Sequence, residues 1–331
     1  MKIGLIGLGR KGHAIACRLI KGGHEVWGFD GDANILNAAC DDGVKPSSSI
    51  QDLANNVNIF WLMVPAGDPV DTVINELTKQ IKSSHLVYGA APKGDGSSRL
   101  RQGFDVQASS PRARLSDAVI IDGGNSNFKD SVRRYQTLKS QNIDFIDCGT
   151  SGGLQGKDIG FSLMIGGDKE VFEKLDPIFK SIAAPGGYAY MGPAGAGHYV
   201  KMIHNGIEYA LLQSYAEGFQ LLKEGRYKNL DLEKISSVWN HGSIIRSWIL
   251  ELAHDIFVQD QNLTEISGKI GENKTGQWTL DEAKEQNIPV DLIERSLQIR
   301  ATSRQTGGNY ATKVVAMLRN RFGGHLLAKK D

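Results

Sequence analysis

The sequence predicts an α/β protein with a doubly wound, Rossmann-type amino-terminal domain and an all-helical carboxyl-terminal domain. The chain opens with a strand, a glycine-rich turn and a helix, and strands alternate with helices as far as about residue 165. From His198 onward only long helical periods are found. At 331 residues the chain is most simply two domains, which we place at residues 1–195 and 196–331.

The first predicted element is a βαβ unit. A short buried strand at residues 2–6 is followed by a helix over His13–Ile20 and a second strand over Glu25–Asp30. The turn between the first strand and the helix has the pattern G-x-G-x-x-G, which in this context is typical of a dinucleotide site. Its glycines allow a tight turn, a close approach of a pyrophosphate and close packing of the helix. The predicted cofactor contacts in this turn are Gly7, Leu8, Gly9, Arg10, Lys11 and Gly12.

Asp30 ends the second strand and predicts which cofactor the turn binds. A carboxylate here accepts hydrogen bonds from the ribose hydroxyls of the adenosine and repels a 2′-phosphate. No Arg or Lys follows within the next few residues to hold an extra phosphate. The sequence therefore predicts NAD rather than NADP, and it predicts that the nearby Asp32 caps a helix.

Three loops are predicted at the carboxyl edge of the sheet, where ligands of doubly wound folds bind. The remaining strands are predicted at Val57–Val64, Ala118–Asp122, Asp144–Asp147 and Phe161–Ile165, with helices at Asp68–Ile81 and Asp130–Ser140. The loops are Met63–Gly67, Asp122–Ser126 and Gly149–Gly153. An ordinary turn is the alternative at each loop, but together they predict the walls of a site, with Val64, Pro65, Ala66 and Asn125 at the cofactor.

A polar stripe is predicted on the first helix of the second domain. Lys201, His204, Asn205 and Glu208 are spaced i, i+3, i+4 and i+7, so they share one arc. The residues around them are apolar, namely Val200, Met202, Ile203, Ile207, Ala210 and Leu211. This predicts a buried helix whose stripe lines a polar cleft between the domains, because it follows the glycine-rich hinge 192–197 directly. The alternative is a self-satisfied core network or a solvated face.

Composition excludes several classes of function. Lys and Arg number 38 against 37 Asp and Glu, a net charge of +1, so we expect neither a nucleic-acid nor a membrane-surface partner. No segment reaches transmembrane length. Cys17, Cys40 and Cys148 show no C-x-x-C or Cys/His metal spacing, so we expect idle thiols, no metal and a cytoplasmic protein.

Four motifs together resemble the 6-phosphogluconate dehydrogenase family, over nearly the whole chain. They are Gly-Leu-Gly-Arg-x-Gly at 7–12, Asp122-Gly-Gly-Asn-Ser126, Ser151-Gly-Gly153, and Gly-His-Tyr-Val-Lys-Met-Ile-His-Asn-Gly-Ile-Glu-Tyr at 197–209. The length and Asp30 resemble the short, NAD-preferring branch. The resemblance implies oxidative decarboxylation of 6-phospho-D-gluconate to ribulose 5-phosphate and CO2, with reduction of NAD.

The resemblance also implies roles for individual residues. Lys201 would be the base that takes the C3 hydroxyl proton, and Glu208 the acid that protonates C1 of the enediol. The implied substrate contacts are Asn125, Ser151, Gly152, Gly153, His204, Asn205, Tyr209, Arg246, Lys274, Arg319 and His325. Arg319 and His325 would reach the phosphate of a neighbouring subunit's substrate, which implies a homo-oligomer, either a dimer or a tetramer.

Two other functions remain open on the sequence alone. A non-decarboxylating NAD-dependent 3-hydroxy acid dehydrogenase shares the Lys-x-x-x-Asn spacing of Lys201 and Asn205, but has no need of Glu208. A catalytically silent NAD-sensing module would keep the nucleotide domain without turnover, and the intact polar stripe argues against it.

The segment Ser84–Leu115 departs from the family pattern, in which a short turn joins helix and strand. It contains Lys93, Arg99, Arg101, Arg112 and Arg114 among many Gly, Ser and Pro residues. This composition predicts an irregular loop. Binding of RNA or a protein partner is the less favoured alternative to a solvated insert, and an irregular gene model is another. A helix-to-strand turn lies at the amino ends of the strands, so catalysis is expected to tolerate it.

Overall fold

The computed structural model describes residues 1–88, 118–272 and 274–329, which divide into two compact units. Unit 1 comprises Met1–Thr150 and Ser162–His198, and unit 2 comprises Ser151–Phe161 and Tyr199–Asp331. The division falls three residues after the predicted boundary, and it assigns the segment Ser151–Phe161 to the second unit.

Unit 1 is built on one eight-stranded sheet with the order β3-β2-β1-β4-β5-β6-β7-β8. Its strands are β1 Lys2–Ile6, β2 Glu25–Phe29, β3 Lys45–Pro46, β4 Ile59–Leu62, β5 Val119–Asp122, β6 Asp144–Ser151, β7 Phe161–Gly167 and β8 Ala183–Gly192. The pairs from β3 through β6 are parallel. Because β1 lies between β2 and β4, the connections from β1 and β4 run to opposite sides, and this switch point is where such sheets bind ligands.

The helices of unit 1 pack against this sheet through apolar faces. They are α1 Arg10–Lys21, α2 Ala33–Asp41, α3 Ile50–Asn56, α4 Asp68–Tyr88, α5 Phe128–Lys139, α7 Lys169–Lys174 and α8 Asp176–Ile182; α6 Gly156–Ile159 belongs to unit 2. One core cluster joins β4 and β5 to α3 and α4, with Phe60, Leu62, Leu53 and Leu77 fully buried. The predicted Rossmann-type sheet is confirmed.

Strand β8 was not predicted. The pair Gly186–Gly187 within it reads as a turn in the sequence, and Gly186 does adopt a positive φ of 71°. The strand nevertheless pairs at the edge of the sheet, where glycine and proline are tolerated because one side needs no partner. Half of its residues are partly exposed, so no clear alternation marks it.

The predicted irregular segment Ser84–Leu115 is partly wrong. Helix α4 continues to Tyr88, so residues 84–88 are helical. The five cations of the segment lie outside the described residues, and their predicted solvation stays a prediction.

Unit 2 is helical, as predicted. Its longer helices are α9 Ala196–Glu224, α10 Leu232–Asn240, α11 Trp248–Gln259, α12 Lys274–Glu285, α13 Asp291–Thr306 and α14 Tyr310–Gly323. The core of the unit joins α9, α11 and α14, and Phe219 and Phe257 meet there edge to face at 4.7 Å between ring centroids. Across the described parts of the chain, none of the helices combines the length and hydrophobicity needed to cross a bilayer.

Candidate functional site

The glycine turn of unit 1 has the backbone that a dinucleotide requires. Gly7 has a φ of +89°, and a Cβ at Gly12 would lie 2.0 Å from the carbonyl oxygen of Gly7. A Cβ at Gly9 would meet nothing within 4 Å, and no side chain of the described residues caps the amino end of α1. The backbone at Gly9 is therefore open to the close approach of an anion at the amino end of α1, and a side chain at Gly12 is excluded.

Asp30 is held by two backbone groups directly after β2. The N–H of Leu8 donates to its Oδ2 at 2.6 Å, and the N–H of Asp32 donates to its Oδ1 at 2.9 Å. The carboxylate is thereby fixed beside the glycine turn, and it is half-buried. Asp32 accepts from the N–H of Asn34 at 2.8 Å and caps α2, which confirms its predicted role.

Arg134 of α5 joins the loops after β4 and β5, two of the three loops predicted to line the site. The guanidinium is buried and donates to Asp122 at 3.1 Å, to both oxygens of Asp71 at 2.9 and 3.1 Å, and to the carbonyl of Gly67 at 3.0 Å. Hydrogen bonding from Arg134 is the main cause that lowers the pKa of Asp71 to about 2. This network anchors the loop that carries Val64, Pro65 and Ala66, of which the last two are exposed.

Asn125 is committed to the backbone. It has a φ of +56°, a conformation that asparagine tolerates better than most residues. Its amide donates to the carbonyl of Thr150 at 3.0 Å and accepts from the N–H of Thr150 at 2.8 Å. Its primary role in the structure is thus to join the loop after β5 to the end of β6, and its predicted ligand contacts stay a prediction.

Asp147, at 0 % exposure, fixes the start of α9. Its carboxylate accepts from the N–H of Gly195 at 2.6 Å and from the N–H of His198 at 2.8 Å. A buried carboxylate at a helix amino terminus satisfies N–H groups that the helix leaves without partners. The His198 ring in turn contacts Ser131 at 2.7 Å. This arrangement sets where the helix carrying the polar stripe begins.

The polar stripe of α9 forms a contact network in unit 2. Lys201 is 5 % exposed, and its Nζ lies 3.2 Å from Nδ1 of His204. Asn205 Oδ1 also lies 3.2 Å from that Nδ1, while Nε2 of His204 lies 3.4 Å from the hydroxyl of Ser151. Burial, and then the charge of Lys201, lower the pKa of His204 to about 4. His204 is therefore a neutral hydrogen-bonding group at neutral pH.

Only some of the apolar residues around the stripe are buried, so the prediction of a wholly buried helix is wrong. Met202 is 1 % exposed, but Ile207 is 52 % and Leu211 46 % exposed, and Val200 is exposed as well. The helix packs through one face and turns a second apolar face outward. Sequence hydrophobicity does not distinguish burial within a chain from an apolar surface.

Glu208 and Tyr209 lie beside two buried arginines, Arg300 of α13 and Arg319 of α14. The guanidinium of Arg300 stacks on the Tyr209 ring at 3.6 Å, and Glu208 lies within electrostatic range of both arginines. Burial lowers the pKa of Arg300 to about 10, so it remains a cation at neutral pH. Its Nη2 is buried without a hydrogen-bond partner among the described residues. An anion would satisfy that group.

Arg300 was missed in the sequence. The sequence contained a weak signal, the i, i+4 and i+7 spacing of Ser296, Arg300 and Ser303 on α13. The structure buries all three side chains. The same spacing argument had identified the stripe on α9. A lone arginine between two serines gave no reason to expect burial.

The other predicted substrate residues fall into two groups. Gly152 and Gly153 have φ values of +141° and +58°, and a Cβ at Gly153 would lie 2.0 Å from the carbonyl of Phe322, the neighbour of His325 in an edge-to-face contact. This places the Ser151–Gly153 turn against the end of α14. Arg246 lies in the exposed turn between α10 and α11, and Lys274 is exposed at the start of α12.

Two family models match consecutive parts of the chain. The NAD binding domain of 6-phosphogluconate dehydrogenase matches residues 2–91 and 110–196, and the 6-phosphogluconate dehydrogenase C-terminal domain matches residues 197–324. The unmatched residues between 91 and 110 lie inside the segment that departs from the family pattern in the sequence.

Similar proteins include full-length relatives. A NAD(+)-dependent, decarboxylating 6-phosphogluconate dehydrogenase of Haloferax volcanii is 42% identical over 100% of both chains. A putative 6-phosphogluconate dehydrogenase of Bacillus subtilis is 37% identical, again over 100% of both. The solved 6-phosphogluconate dehydrogenase of Plasmodium falciparum matches with a TM-score of 0.73 and 27% identity, over 92% of this chain and 62% of that one. A 3-hydroxyisobutyrate dehydrogenase of Mycobacterium tuberculosis, with a TM-score of 0.68 and 19% identity over 96% of this chain and 99% of that one, shares the fold.

Proposed function

Because the chain belongs to the 6-phosphogluconate dehydrogenase family, we propose that it converts 6-phospho-D-gluconate to ribulose 5-phosphate and CO2. It is an oxidoreductase, and NAD is its cofactor. The observation that carries the proposal is the position of Glu208. This acid shares an arc of α9 with the buried Lys201 and lies beside the cations Arg300 and Arg319.

The residues of unit 1 fit the cofactor. The open backbone at Gly9 and the uncapped amino end of α1 suit a pyrophosphate, and Asp30 lies where a ribose would offer two hydroxyls. NAD, when bound, would supply the acceptor for the hydride that leaves C3 of the substrate. The chain's own part in this step is to hold the loops at Gly67 and Asp122 in place through Arg134.

Lys201 is the proposed base. In its deprotonated form, its Nζ takes the proton from the C3 hydroxyl as the substrate is oxidised. The resulting ketone has its carboxylate in the β position. The protonated Nζ then donates to the developing enolate oxygen and stabilises its charge while CO2 leaves. His204, 3.2 Å from that Nζ, positions the amine.

Glu208 is the proposed acid of the second half-reaction. After CO2 leaves, C1 of the enediol needs a proton, and Glu208 lies two helical turns from Lys201 on the same arc. An acid at this position has no use in simple hydroxy acid oxidation. This feature favours the decarboxylating reaction over the 3-hydroxy acid dehydrogenase alternative, and the buried catalytic stripe disfavours the silent NAD-sensing module.

The substrate phosphate is assigned to Tyr209, Arg300 and Arg319. The unsatisfied Nη2 of Arg300 supplies a donor, and arginine binds phosphate in a bidentate manner. Ser151, Asn205 and His204 are assigned to the hydroxyls and the carboxylate of the sugar acid. Gly152, Gly153, His325, Lys274 and Arg246 remain proposed contacts on the family resemblance.

The product distinguishes this function from its rivals. Purified protein incubated with 6-phosphogluconate and NAD should yield a ketopentose phosphate that co-elutes with ribulose 5-phosphate. Accumulation of a six-carbon keto acid would support the 3-hydroxy acid dehydrogenase, and no conversion would support the NAD-sensing module.

Replacing Asp30 with alanine is expected to reduce the preference for NAD over NADP. The substitution removes two carboxylate oxygens that accept from the ribose and repel a 2′-phosphate, a loss of about tenfold in the ratio of kcat/KM values. Steady-state kinetics with each cofactor measure it. The matched control is Asp32→Ala, which removes a helix cap two residues away and should leave the ratio unchanged. Equal ratios in Asp30→Ala and the native protein would refute the ribose assignment.

Replacing Arg300 with methionine is expected to raise KM for 6-phosphogluconate by about tenfold or more, because charged hydrogen bonds contribute about 1.5–3 kcal/mol. The KM for NAD should not change. Arg295→Met, an exposed position on the same helix, is the control. If Arg300→Met binds the substrate as tightly as the control does, the phosphate assignment fails.

A homo-oligomer is proposed because α9 has an exposed apolar face, formed by Val200, Ile207 and Leu211, that a second subunit would bury. Arg319 lies beside Glu208 and Tyr209 of its own unit, so the prediction that it serves a neighbouring subunit is not required to complete the cluster. Sedimentation equilibrium of the purified protein distinguishes monomer, dimer and tetramer.

A cytoplasmic location is proposed with the function, and cell fractionation tests it.

A further inference from the structure

Three potential metal ligands meet where the first two turns of α1 approach the carboxyl end of α2, and none of them is assigned to NAD or substrate. His13 and Cys17 are spaced i and i+4, so they share a face of α1. Asp42 directly follows α2 as its carboxyl-terminal cap. The Nε2 of His13 lies 2.8 Å from Oδ2 of Asp42, and the Sγ of Cys17 lies 3.3 Å from the same oxygen. One ligand atom from each residue lies within 4.8 Å of the other two.

The three ligand atoms lie near the separations that a tetrahedral ion requires. Zinc binds imidazole nitrogen, thiolate sulfur and carboxylate oxygen at about 2.0–2.3 Å, which sets its ligand atoms about 3–4 Å from one another. The Nε2 of His13 pairs with Asp42 when the imidazole is protonated, and the Cys17 thiol donates to the same carboxylate oxygen. The Nε2 is buried and has no hydrogen-bond partner of acceptable geometry among the described residues, so a neutral imidazole can offer this nitrogen to an ion.

We propose that His13, Cys17 and Asp42 bind a divalent transition-metal ion of the zinc class, with solvent at the fourth position. Asp42 is exposed and His13 and Cys17 are half-buried, so an ion reaches the site from solvent. This revises the sequence prediction of no metal, which overlooked the His-x-x-x-Cys spacing. The ion clamps α1 to α2, the helices that follow the glycine turn and Asp30, and thereby stabilises the folded cofactor unit, because it binds the folded state.

Titration of the untagged, chelator-treated protein with Co²⁺, in the absence of NAD, tests the site. We expect one equivalent to bind with visible bands of tetrahedral cobalt and a sulfur-to-cobalt charge-transfer band in the near ultraviolet, and Zn²⁺ to displace it. Cys17→Ser should abolish the charge-transfer band and weaken binding by about tenfold or more. Cys40→Ser, a half-buried cysteine of α2, is the matched control and should behave like the native protein.

Asp42→Asn provides a second variant at an exposed position, and it should also weaken Co²⁺ binding. Circular dichroism confirms that each variant is folded. Binding without the charge-transfer band, equal binding by Cys17→Ser and the native protein, or no saturable binding by the native protein would each overturn the proposal. Because the readout is the spectrum of bound cobalt, none of these outcomes depends on the proposed reaction.

Discussion

Replacing Lys201 with methionine is expected to lower kcat for 6-phosphogluconate by about 10²–10⁴-fold, the usual contribution of a general acid–base group. Methionine has nearly the same length but neither accepts the hydroxyl proton nor donates to the enolate oxygen. The Kd of NAD should stay nearly unchanged, because the assigned cofactor contacts lie at the glycine turn and Asp30. Steady-state kinetics and calorimetric titration with NAD measure the two effects.

The matched control for this substitution is Lys223→Met, near the other end of the same helix. Lys223 donates to Asn262 at 2.6 Å, outside the polar stripe. Its kcat should equal that of the native enzyme. Undiminished turnover in Lys201→Met would rule out Lys201 as the base, whereas a parallel loss in both variants would indicate damage to α9.

Replacing Arg134 with methionine is expected to destabilise unit 1 by about 3–5 kcal/mol. Asp122 is 0 % exposed, and removal of its cationic partner leaves a buried carboxylate that only the Gly124 N–H and the Ser126 hydroxyl still stabilise. The loop at Gly67 also loses its anchor, so the Kd of NAD should rise. Native-state hydrogen exchange of the β4 and β5 amides measures the local stability.

Arg133 offers a neighbouring control. It pairs with Asp71 at 2.9 Å, as Arg134 does, but its side chain is 55 % exposed. Arg133→Met should therefore cost at most about 1 kcal/mol, the usual range of exposed pairs. Protection of β4 and β5 in Arg134→Met as strong as in the Arg133 variant would contradict the role assigned to the buried network.

Local chemistry made unit 1 predictable from the sequence. Gly7 and Gly12 meet backbone requirements that no other residue meets, Gly9 leaves space for a close approach, and Asp30 follows at the end of the next strand. The cap at Asp32 was predicted for the same reason. By contrast, the partners of Asn125 on Thr150 and of Arg134 on Asp71 come from distant segments, and no local pattern reveals them.

Unit 2 shows where spacing arguments succeed and where they stop. The stripe from Lys201 to Glu208 follows from helical periodicity alone. In the structure Lys201 and Asn205 both lie within contact distance of His204. The exposure of Ile207 and Leu211 did not follow, because burial depends on which helices pack against α9. Arg300 was missed because its burial arises from stacking on Tyr209, a contact across 91 residues of sequence that periodicity does not report.

The ratio of CO2 released to NADH formed tests the central claim most directly, because the role proposed for Glu208 exists only if the carboxylate is lost. Purified enzyme supplied with 6-phosphogluconate labelled with ¹⁴C at C1 should release one labelled CO2 for each NADH. NADH formation from 6-phosphogluconate without release of the label would contradict the account.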